Sequence, residues 1–350
     1  MRKILVIQMK MIGDVLTSSI LFEVLRKEFP DAELHYLIYK QSLPVVENNP
    51  NIDKIILTDK DQNFKGLVKQ VRKEKYYAVI DVYSNLKTAL VTGLSRAKLR
   101  IAYDKKYTRP FCTHVFSRNI EAKTPAGAAI EKRMRLLSPL SSNFPVEIKP
   151  KIYLKKEEIE HARKKLENAK IDLSKSLIMI GALGSSKNKT YPLNFLAEIL
   201  DEIVLHTNAN LLLNYIPSQR TEVEKLYDFC CTKTQQKIHL ELYADSLREF
   251  LALTSHCAAL IGNEGGAINM AKALNIPTFA IFSPPLNKEN WNMYEDEKRN
   301  ISVHLKDHKP ELFLNKSYKN LVKKNDDLYQ LLKPSLLLPR LRHFLNQNSK

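Results

Sequence analysis

The feature that most constrains this fold is a repeated alternation of short apolar, β-branched runs with segments of helical periodicity. Such runs predict buried strands, whereas apolar residues spaced three and four apart predict helices. In the first half we expect a helix over 15–28 and strands at 3–8, 32–39, 54–58, 78–83 and 98–103. In the second half we expect strands at 176–183, 210–216, 237–242, 258–264 and 278–283. Because helices that join parallel strands cover both faces of a sheet, the pattern predicts an α/β fold with two Rossmann-like parallel-sheet domains.

The two series of strands are separated by FPVEIKPKIYLKKEEIEHARKKLENA, which contains two prolines and then becomes a charged helix. Loss of the strand pattern at prolines is typical of a connection between domains. We therefore expect an N-terminal Rossmann-like domain over 1–150 and a C-terminal one over 151–325. Sheets of this kind bind ligands outside the carboxyl ends of their strands, so a cleft between two facing sheets is the predicted ligand site.

The formal net charge of +17 favours an anionic partner, such as nucleic acid, phospholipid headgroups or a phosphorylated small molecule. The basic residues are spread over the whole chain, and neither RNA-reading aromatic signatures nor zinc-finger spacing occurs, so we expect no nucleic-acid partner. The cysteines form no CxxC pair, which is typical of reduced, buried residues in a cytosolic protein. The N-terminus leads directly into a strand without a signal peptide, and we expect a cytoplasmic protein.

The first strand is followed by QMKMIGDVLTSS, in which Gly13 and Asp14 stand at the turn into a helix. Gly13 is the only glycine in this turn, so the dinucleotide-binding fingerprint GxGxxG is absent. A carboxylate at the carboxyl end of a strand can act as the general base that deprotonates an acceptor hydroxyl. An aspartate at a helix start can equally be an N-cap, and the residues alone leave both interpretations open.

Two turns from a strand into a helix in the second half are candidate phosphate sites. GALGSSKNKTYP places Lys187 and Lys189 among small residues, and LIGNEGGAINMAKAL places Gly265 and Gly266 at a helix start. Backbone N–H groups at a helix N-terminus attract anions, so we expect a nucleotide diphosphate between these turns. Glu264 would then accept hydrogen bonds from ribose or sugar hydroxyls. The alternatives are a solvated basic loop and a tight turn with Glu264 as a helix cap.

Four segments resemble, in the same order and spacing, signature regions of the ADP-heptose:lipopolysaccharide heptosyltransferases of glycosyltransferase family 9. They are MIGDVLTSSILFEVLRKEFPDAELHYLIY, PVVENNPNIDKII, YYAVIDVYSNLKTALVTGLSRAKLRIAYD and LIGNEGGAINMAKALNIPTFAIF. The resemblance implies a GT-B fold, with the acceptor on the N-terminal domain, the nucleotide-sugar on the C-terminal domain and inversion at the anomeric carbon. It also implies that a C-terminal helix over 326–350 crosses back to the N-terminal domain.

The resemblance assigns roles to residues as well. Asp14 matches the catalytic aspartate, Lys189 matches a phosphate-contacting lysine in a lysine-x-aromatic-proline motif, and Glu264 and Asn269 depart from the family's aspartate and histidine. The resulting donor-binding set is Gly184, Ser185, Lys187, Lys189, Gln219, Glu264, Gly265, Gly266 and Ala267, and the acceptor loop contributes Lys10 and Gly13. We expect no metal and no cofactor beyond the nucleotide-sugar substrate. A DxD pattern at Asp59 and Asp61 is typical of a solvated turn.

These features predict an inverting, metal-independent glycosyltransferase that moves heptose or a related sugar from a nucleotide-diphosphate donor to a lipopolysaccharide core or another cell-surface glycan. The alternative is a non-catalytic protein that binds nucleotide-sugars or anionic glycans. The tail LLKPSLLLPRLRHFLNQNSK alternates leucines with basic residues. It predicts either a helix packed on the N-terminal domain or a peripheral contact with an anionic inner membrane.

Overall fold

The computed structural model describes residues 2–59, 63–142, 144–145 and 148–348. The chain divides into two compact units, one of Met1–Tyr153 with Glu289–Met293 and one of Leu154–Lys288 with Tyr294–Lys350. The main division, after Tyr153, lies within a few residues of the boundary predicted at Pro150.

The first unit is a parallel sheet flanked by helices, with two short 3-10 helices at Lys40–Val45 and Arg135–Leu137. Its elements are β1 (Lys3–Ile7), α1 (Ile12–Ser18), α2 (Ile20–Glu28), β2 (Glu33–Tyr39), β3 (Lys54–Thr58), α3 (Phe64–Lys73), β4 (Ala78–Asp81), α4 (Leu86–Leu94), β5 (Leu99–Tyr103), β6 (His114–Phe116) and α5 (Ala128–Met134). The strand order is β3-β2-β1-β4-β5-β6. Strand order reverses between β1 and β4, and such a reversal opens a crevice at the carboxyl ends of the two strands.

The second unit has the same layered design around five parallel strands. Its elements are α6 (Lys156–Asn168), β7 (Leu177–Gly181), α7 (Leu193–Thr207), β8 (Asn210–Leu213), α8 (Arg220–Phe229), α9 (Thr232–Gln235), α10 (Leu247–Ser255), β9 (Ala259–Asn263), α11 (Gly266–Ala273), β10 (Thr278–Ile281), β11 (Asn300–Val303), α13 (Tyr318–Lys323), α14 (Asn325–Leu331) and α15 (Pro334–Asn348). The four-residue helix α12 (Lys288–Trp291) begins at the last residue before the short segment of the first unit and lies mostly within that segment. The strand order is β11-β10-β9-β7-β8. Here the order reverses between β7 and β9, the point at which this topology binds ligands.

Two buried parallel sheets were predicted from the apolar runs, and the structure confirms them. The prediction of a strand at 237–242 is wrong. This segment forms only a single bridge, between Ile238 and Leu211, before the chain turns at His239. The short strands β6 and β11 were missed, since runs of three or four residues give little periodicity. The helix predicted over 15–28 is divided at Ser19 into α1 and α2.

The C-terminal tail is part of the second unit, so its predicted crossing to the N-terminal domain is wrong. Helix α15 packs on α7 and β11, and its buried residues, Leu337, Leu341, Phe344 and Leu345, belong to the second unit's core. The Phe344 ring lies 5.8 Å from that of Phe279 on β10. Burial of these apolar side chains stabilises the helix where it lies. No helix in the described part of the chain is both long enough and apolar enough to cross a bilayer.

The four cysteines are free thiols. Cys230 and Cys257 are buried and Cys112 is half-buried, but Cys231 is exposed, so the prediction that all four are buried is wrong for this residue. Cys231 is exposed because it lies in the turn between α8 and α9, at the N-cap of the shorter helix.

Candidate functional site

In the first unit, Asp14 forms an ion pair with a buried arginine that follows it by more than a hundred residues. Arg133 is only 3% exposed, and its Nη2 donates to Asp14 Oδ1 at 2.6 Å. Its other N–H groups donate to Ser18 Oγ at 2.9 Å and to the carbonyl of Ala129 at 2.6 Å. Three acceptors therefore hold the guanidinium, which in turn holds the carboxylate in one position.

The N-cap interpretation of Asp14 is not what the structure shows. Helix α1 begins at Ile12 and its N-cap residue is Met11, so Asp14 lies in the first turn of the helix. About a quarter of the Asp14 side chain is exposed. A partly accessible carboxylate, fixed by a buried guanidinium at the switch point of the sheet, is geometrically suited to accept a proton from a bound hydroxyl.

Further positive charge surrounds this carboxylate. Burial lowers the pKa of Lys132 to about 8, and the nearby charges of Arg133 and Arg118 act in the same direction. Tyr103, at the carboxyl end of β5, is buried, and burial raises its pKa to about 12. Its hydroxyl has no hydrogen-bond partner among the described residues. A site with one partly exposed carboxylate and neighbouring cations can bind a polar ligand that carries negative charge.

The short segment of 289–293 that belongs to the first unit carries the only tryptophan of the chain. Trp291 is 43% exposed, and the ammonium of Lys132 lies 5.8 Å from its ring centroid. Met293 packs on α1, with its sulfur 3.9 Å from Thr17 Oγ1. An exposed aromatic ring beside the site offers an apolar surface to a sugar or another flat ligand.

The two residues predicted for the acceptor loop lie in and beside the connection from β1 to α1. Lys10 is half-exposed and lies close enough to Tyr39, at the end of β2, to act on it electrostatically. Gly13 is in α1, and its carbonyl accepts a hydrogen bond from Thr17 Oγ1 at 2.7 Å. The structure thus places Lys10, Gly13 and Asp14 at the carboxyl edge of the first sheet, as predicted from their position after the first strand.

A second carboxylate ends the neighbouring strand at the same edge. Asp81 pairs in register with Ile7 of β1, is fully buried, and accepts a hydrogen bond from the Ser84 N–H at 2.7 Å. Burial raises the pKa of Asp81 to about 7. The folded protein therefore holds a proton on Asp81 at pH values where the unfolded chain has released it, so this group lowers stability as the pH rises from about 4 to about 7.

We expect Asp81→Asn to remove this pH dependence, because the amide keeps the acceptor for Ser84 and does not titrate. The free energy of unfolding of the variant relative to the native protein should rise by about 1 to 3 kcal/mol between pH 5 and pH 8. Urea unfolding of both proteins at the two pH values measures this difference. An equal difference at pH 5 and pH 8 would show that Asp81 does not titrate in this range.

In the second unit, a buried asparagine at the end of β9 joins the two loops predicted to bind phosphate. Asn263 Nδ2 donates to the carbonyls of Gly181 and Ala182, each at 2.9 Å, and its Oδ1 accepts from the Tyr191 N–H at 2.7 Å. Both ends of the loop that follows β7 are therefore attached to the neighbouring strand. Because the loop after β9 begins at the next residue, the two turns lie side by side at the switch point.

Internal contacts fold the loop after β7 tightly. A Cβ on Gly184 would lie 2.1 Å from the carbonyl oxygen of Lys189, so only glycine permits this approach. Thr190 Oγ1 accepts from the Gly184 N–H at 3.1 Å, and Ser283 Oγ donates to the carbonyl of Asn188 at 2.9 Å. The short 3-10 helix Lys187–Lys189 is thereby held against the end of the sheet.

The loop after β9 turns directly into α11. A Cβ on Gly265 would meet no atom within 4 Å, so this turn faces open space. Gly265 is the N-cap residue, and a glycine has no side chain that could accept hydrogen bonds from the first N–H groups of the helix. These N–H groups include those of Gly266 and Ala267. The uncapped N-terminus of an eight-residue helix is a favourable place for an anion.

Glu264 is half-buried beside this turn. Burial raises the pKa of Glu264, and the ammonium groups of Lys189 and Lys272 act in the opposite direction. Lys189 thus lies within electrostatic reach of the β9 turn, although it belongs to the β7 loop. The two turns therefore present a cation, a carboxyl group and a helix N-terminus at one edge of the sheet.

A pocket of about 710 Å³ lies on the β8 side of the same loop. Its lining includes four of the residues predicted to bind the donor, namely Gly184, Ser185, Lys187 and Gln219. Asp326 and Tyr329, both from α14, complete this wall. The volume is within the usual range for small-ligand sites. The pocket adjoins the loop after β7, whereas Lys189 and the predicted donor residues of the turn after β9 are not part of its lining.

The described residues contain one group of side chains with the spacing of metal ligands, Glu33, His35 and Glu74. Lys3 Nζ already lies 3.0 Å from Glu33 and 2.9 Å from Glu74, and Lys54 Nζ lies 2.6 Å from Glu74. The group is at the amino ends of the strands, opposite the candidate site. In the DxD pattern, Asp59 forms an exposed ion pair with Lys40, and Asp61 lies outside the described residues.

Sequence reasoning missed several residues of both sites. Arg133, Tyr103 and Trp291 carry no motif, and they reach the first site only through folding of distant segments. Asn263 could have been found, since a polar residue at the end of an apolar strand and before a glycine pair often contacts a loop.

A sequence model of glycosyltransferase family 9 (heptosyltransferase) matches residues 65–321, more than half of the 350 residues. Lipopolysaccharide heptosyltransferase 1 of Campylobacter coli is 25% identical to this chain over 291 residues, which cover 80% of this chain and 83% of that protein.

Two solved structures resemble this protein over nearly their whole length. A glycosyl transferase family 9 protein from Veillonella parvula has a TM-score of 0.74 at 20% identity, with 94% of this chain and 97% of that chain covered. The ADP-heptose lipopolysaccharide heptosyltransferase II of Escherichia coli has a TM-score of 0.68 at 16% identity, with coverages of 94% and 98%. The likeness shows the GT-B fold and confirms the predicted fold class.

Proposed function

This chain belongs to glycosyltransferase family 9 and is a glycosyltransferase, and we propose that it transfers heptose or a related sugar, with inversion and without a metal ion. The donor is a nucleotide-diphosphate sugar, and the acceptor is a lipopolysaccharide core or another cell-surface glycan. The observation that carries this proposal is the position of Asp14, which a buried arginine holds at the switch point of the first sheet. The second sheet has its own phosphate-binding features at the equivalent point.

The donor assignment is supported by the chemistry at the carboxyl edge of the second sheet. The N–H groups at the start of α11 and the ammonium of Lys189 provide hydrogen bonds and positive charge for a diphosphate. The adjoining pocket of about 710 Å³ has room for the nucleoside. Glu264 is then an acceptor for ribose or sugar hydroxyls, because a carboxylate would repel phosphate. An ADP-heptose donor is the first candidate, since the similar enzyme of Escherichia coli is named for it.

The acceptor assignment is supported by the cations around Asp14. Lys132 and Arg118 favour an acceptor that carries carboxylate or phosphate groups near the reacting hydroxyl, whereas the buried Arg133 is paired with Asp14. Trp291 provides a surface on which a sugar ring can pack.

The proposed reaction is a single displacement. Asp14 removes the proton from the acceptor hydroxyl as the oxygen forms a bond to the anomeric carbon of the donor sugar. The bond from that carbon to the diphosphate oxygen breaks, and its electron pair leaves with the nucleoside diphosphate. Lys189 and the α11 N-terminus stabilise the charge that develops on this leaving group, which is the role a metal ion has in other transferases.

A donor panel tests this proposal. We expect a nucleoside diphosphate and one nucleotide-sugar to raise the melting temperature, since a ligand at a hundred times its Kd stabilises a protein by about 2.7 kcal/mol. The stabilising sugar should then be transferred to a core oligosaccharide in the presence of EDTA. Donor binding without transfer to any acceptor would favour the non-catalytic binding protein, and loss of transfer in EDTA would contradict metal independence.

A lipid-linked acceptor would place the reaction at a membrane surface. We therefore propose a cytoplasmic enzyme that contacts the inner membrane peripherally. The tail does not supply this contact, because the leucines and Phe344 of α15 are buried or partly buried in the second unit's core and Arg340 and Arg342 are paired with Glu297 and Glu202.

A further inference from the structure

We propose that the groove between α3 and α4 of the first unit docks this protein on an anionic lipid bilayer. The inference deepens the proposed function, and it rests on that function in taking a lipid-linked acceptor as the reason for membrane contact. It assigns the contact to a particular surface, which we call the α3–α4 groove and define by Phe64, Val68 and Leu94 on its floor and Lys65, Lys69, Arg72 and Lys73 around it. Its volume is about 490 Å³.

The charge of this surface is one-sided. Between Asn63 and Arg100 the chain has nine lysines and arginines and only two acidic residues, Glu74 and Asp81. Asp81 is buried, and Glu74 is bound to Lys3 and Lys54. In the described part of the chain, the cations of the groove form no ion pair with a carboxylate, and neither do the flanking Lys75, Lys87, Arg96 and Lys98. Their charge is available to an outside partner.

The groove also combines this charge with exposed apolar surface. Leu86, Leu90 and Leu94 are four residues apart, so they lie along one face of α4. Leu86 is 55% exposed and Leu94 is 44% exposed, although leucines with this spacing usually face a core. The inner face of α3 packs against the sheet, where Leu67 and Val71 are buried in the core. In this leucine stripe on α4, Leu86 and Leu94 present apolar surface to solvent, and Leu90 between them is partly exposed.

An anionic bilayer matches both properties at once. Lysines and arginines beside the stripe can contact lipid phosphates, while the leucines enter the region between headgroups and acyl chains. Nucleic acid would use the cations but would leave the leucine stripe exposed to water, and its usual stacking aromatics are absent from this surface, where Phe64 is only partly exposed. A free phosphate would use the cations alone. The combination favours the lipid surface.

Flotation of the full-length protein with vesicles tests the proposal. The native protein should bind vesicles of phosphatidylcholine mixed with phosphatidylglycerol at low salt, and it should not bind phosphatidylcholine alone. The combined variant Lys65→Gln, Lys69→Gln, Arg72→Gln and Lys73→Gln should lose at least about tenfold in binding, since each cation near such a surface contributes about fivefold. Leu86→Gln with Leu94→Gln should weaken binding without any change in charge.

A matched control separates this groove from net charge. Lys156, Lys164, Lys233 and Lys319 are exposed lysines of the second unit, and changing all four to Gln removes the same charge. We expect this control to bind within about threefold of the native protein, because its charges are outside the docking surface. If the quadruple groove variant and the quadruple control variant lose vesicle binding equally, the proposal is overturned. It is also overturned if the native protein binds neutral and anionic vesicles equally well. Unchanged melting temperatures show that the variants are folded.

Two further arms separate competing explanations. If RNA competes with vesicles and the leucine variant binds vesicles as well as the native protein does, the surface is a polyanion site and the proposal fails.

Vesicle binding is measured without donor or acceptor, so membrane docking can be confirmed even when the transferase proposal fails. Conversely, the variant with all four groove cations changed to Gln should keep native turnover with a lipid-free acceptor and lose turnover with the vesicle-bound acceptor. Loss of both activities would contradict a purely docking role.

Discussion

Asp14→Asn is expected to lower turnover by about a hundredfold or more, because an amide cannot accept the proton of the acceptor hydroxyl. The substitution keeps an oxygen at the position that accepts from Arg133 Nη2, and Ser18 and Ala129 continue to hold the guanidinium. We therefore expect a folded protein with a moderately lower melting temperature. Donor affinity, measured by thermal shift, should be unchanged because the donor residues belong to the second unit.

Two readouts separate catalysis from structure. Trp291 is the only tryptophan and lies beside the proposed acceptor site, so we expect acceptor binding to change its fluorescence, and this change should remain in the Asp14→Asn variant. Asp31→Asn, a change to an exposed carboxylate of the same unit, is the matched control and should turn over normally. Normal turnover together with a lower melting temperature in Asp14→Asn would mean that the Asp14–Arg133 ion pair serves only the fold.

Lys189→Ala is expected to weaken binding of the nucleoside diphosphate by about tenfold to a hundredfold, since a hydrogen bond to a charged group contributes about 1.5 to 3 kcal/mol. Lys189 has no ion-pair partner in the described part of the chain, so its ammonium is available for phosphate. Lys189→Arg should restore part of the affinity because it restores the charge. Calorimetric titration with the diphosphate measures all three proteins.

A change at an exposed lysine of the same unit, Lys164→Ala, should leave this affinity unchanged. Gly266→Ala tests the other side of the site, because its Cβ would meet only Met270 at 3.8 Å, an ordinary contact. Alanine in the first turn of α11 should stabilise the protein slightly, yet it should weaken diphosphate binding if the phosphates lie against this backbone. Unchanged affinity in both Lys189→Ala and Gly266→Ala would show that the donor site is elsewhere.

The layered fold was predictable because it depends on local patterns. A run such as β1, Lys3–Ile7, has the length and composition of a buried parallel strand wherever it occurs, and alternation with helices then implies two parallel sheets. Edge elements were less predictable. Residues 237–242 have a strand-like pattern, but they lie beside the short edge strand β8 and form only one bridge with it.

The predicted site positions also followed from a local rule, since loops after parallel strands meet at the carboxyl edge of their sheet. This rule brings Gly184, Lys189 and Glu264 together through the pairing of β7 with β9. It also puts Asp14 beside the end of β4. The sequence did not reveal the order of the strands, which makes these edges switch points.

What the sequence by itself determined is the set of elements and the turns that carry polar residues, because hydrophobic period and turn chemistry act over a few neighbouring residues. Only the tertiary structure decided which distant groups meet. Arg133 and Asp14 are separated by 119 positions, and Asn263 and Tyr191 by 72, so no local pattern encodes either contact. The C-terminal helix likewise packs on α7 and β11, and its apolar side chains enter the core of the second unit, because a helix buries its apolar face against whichever surface the assembled sheet presents to it.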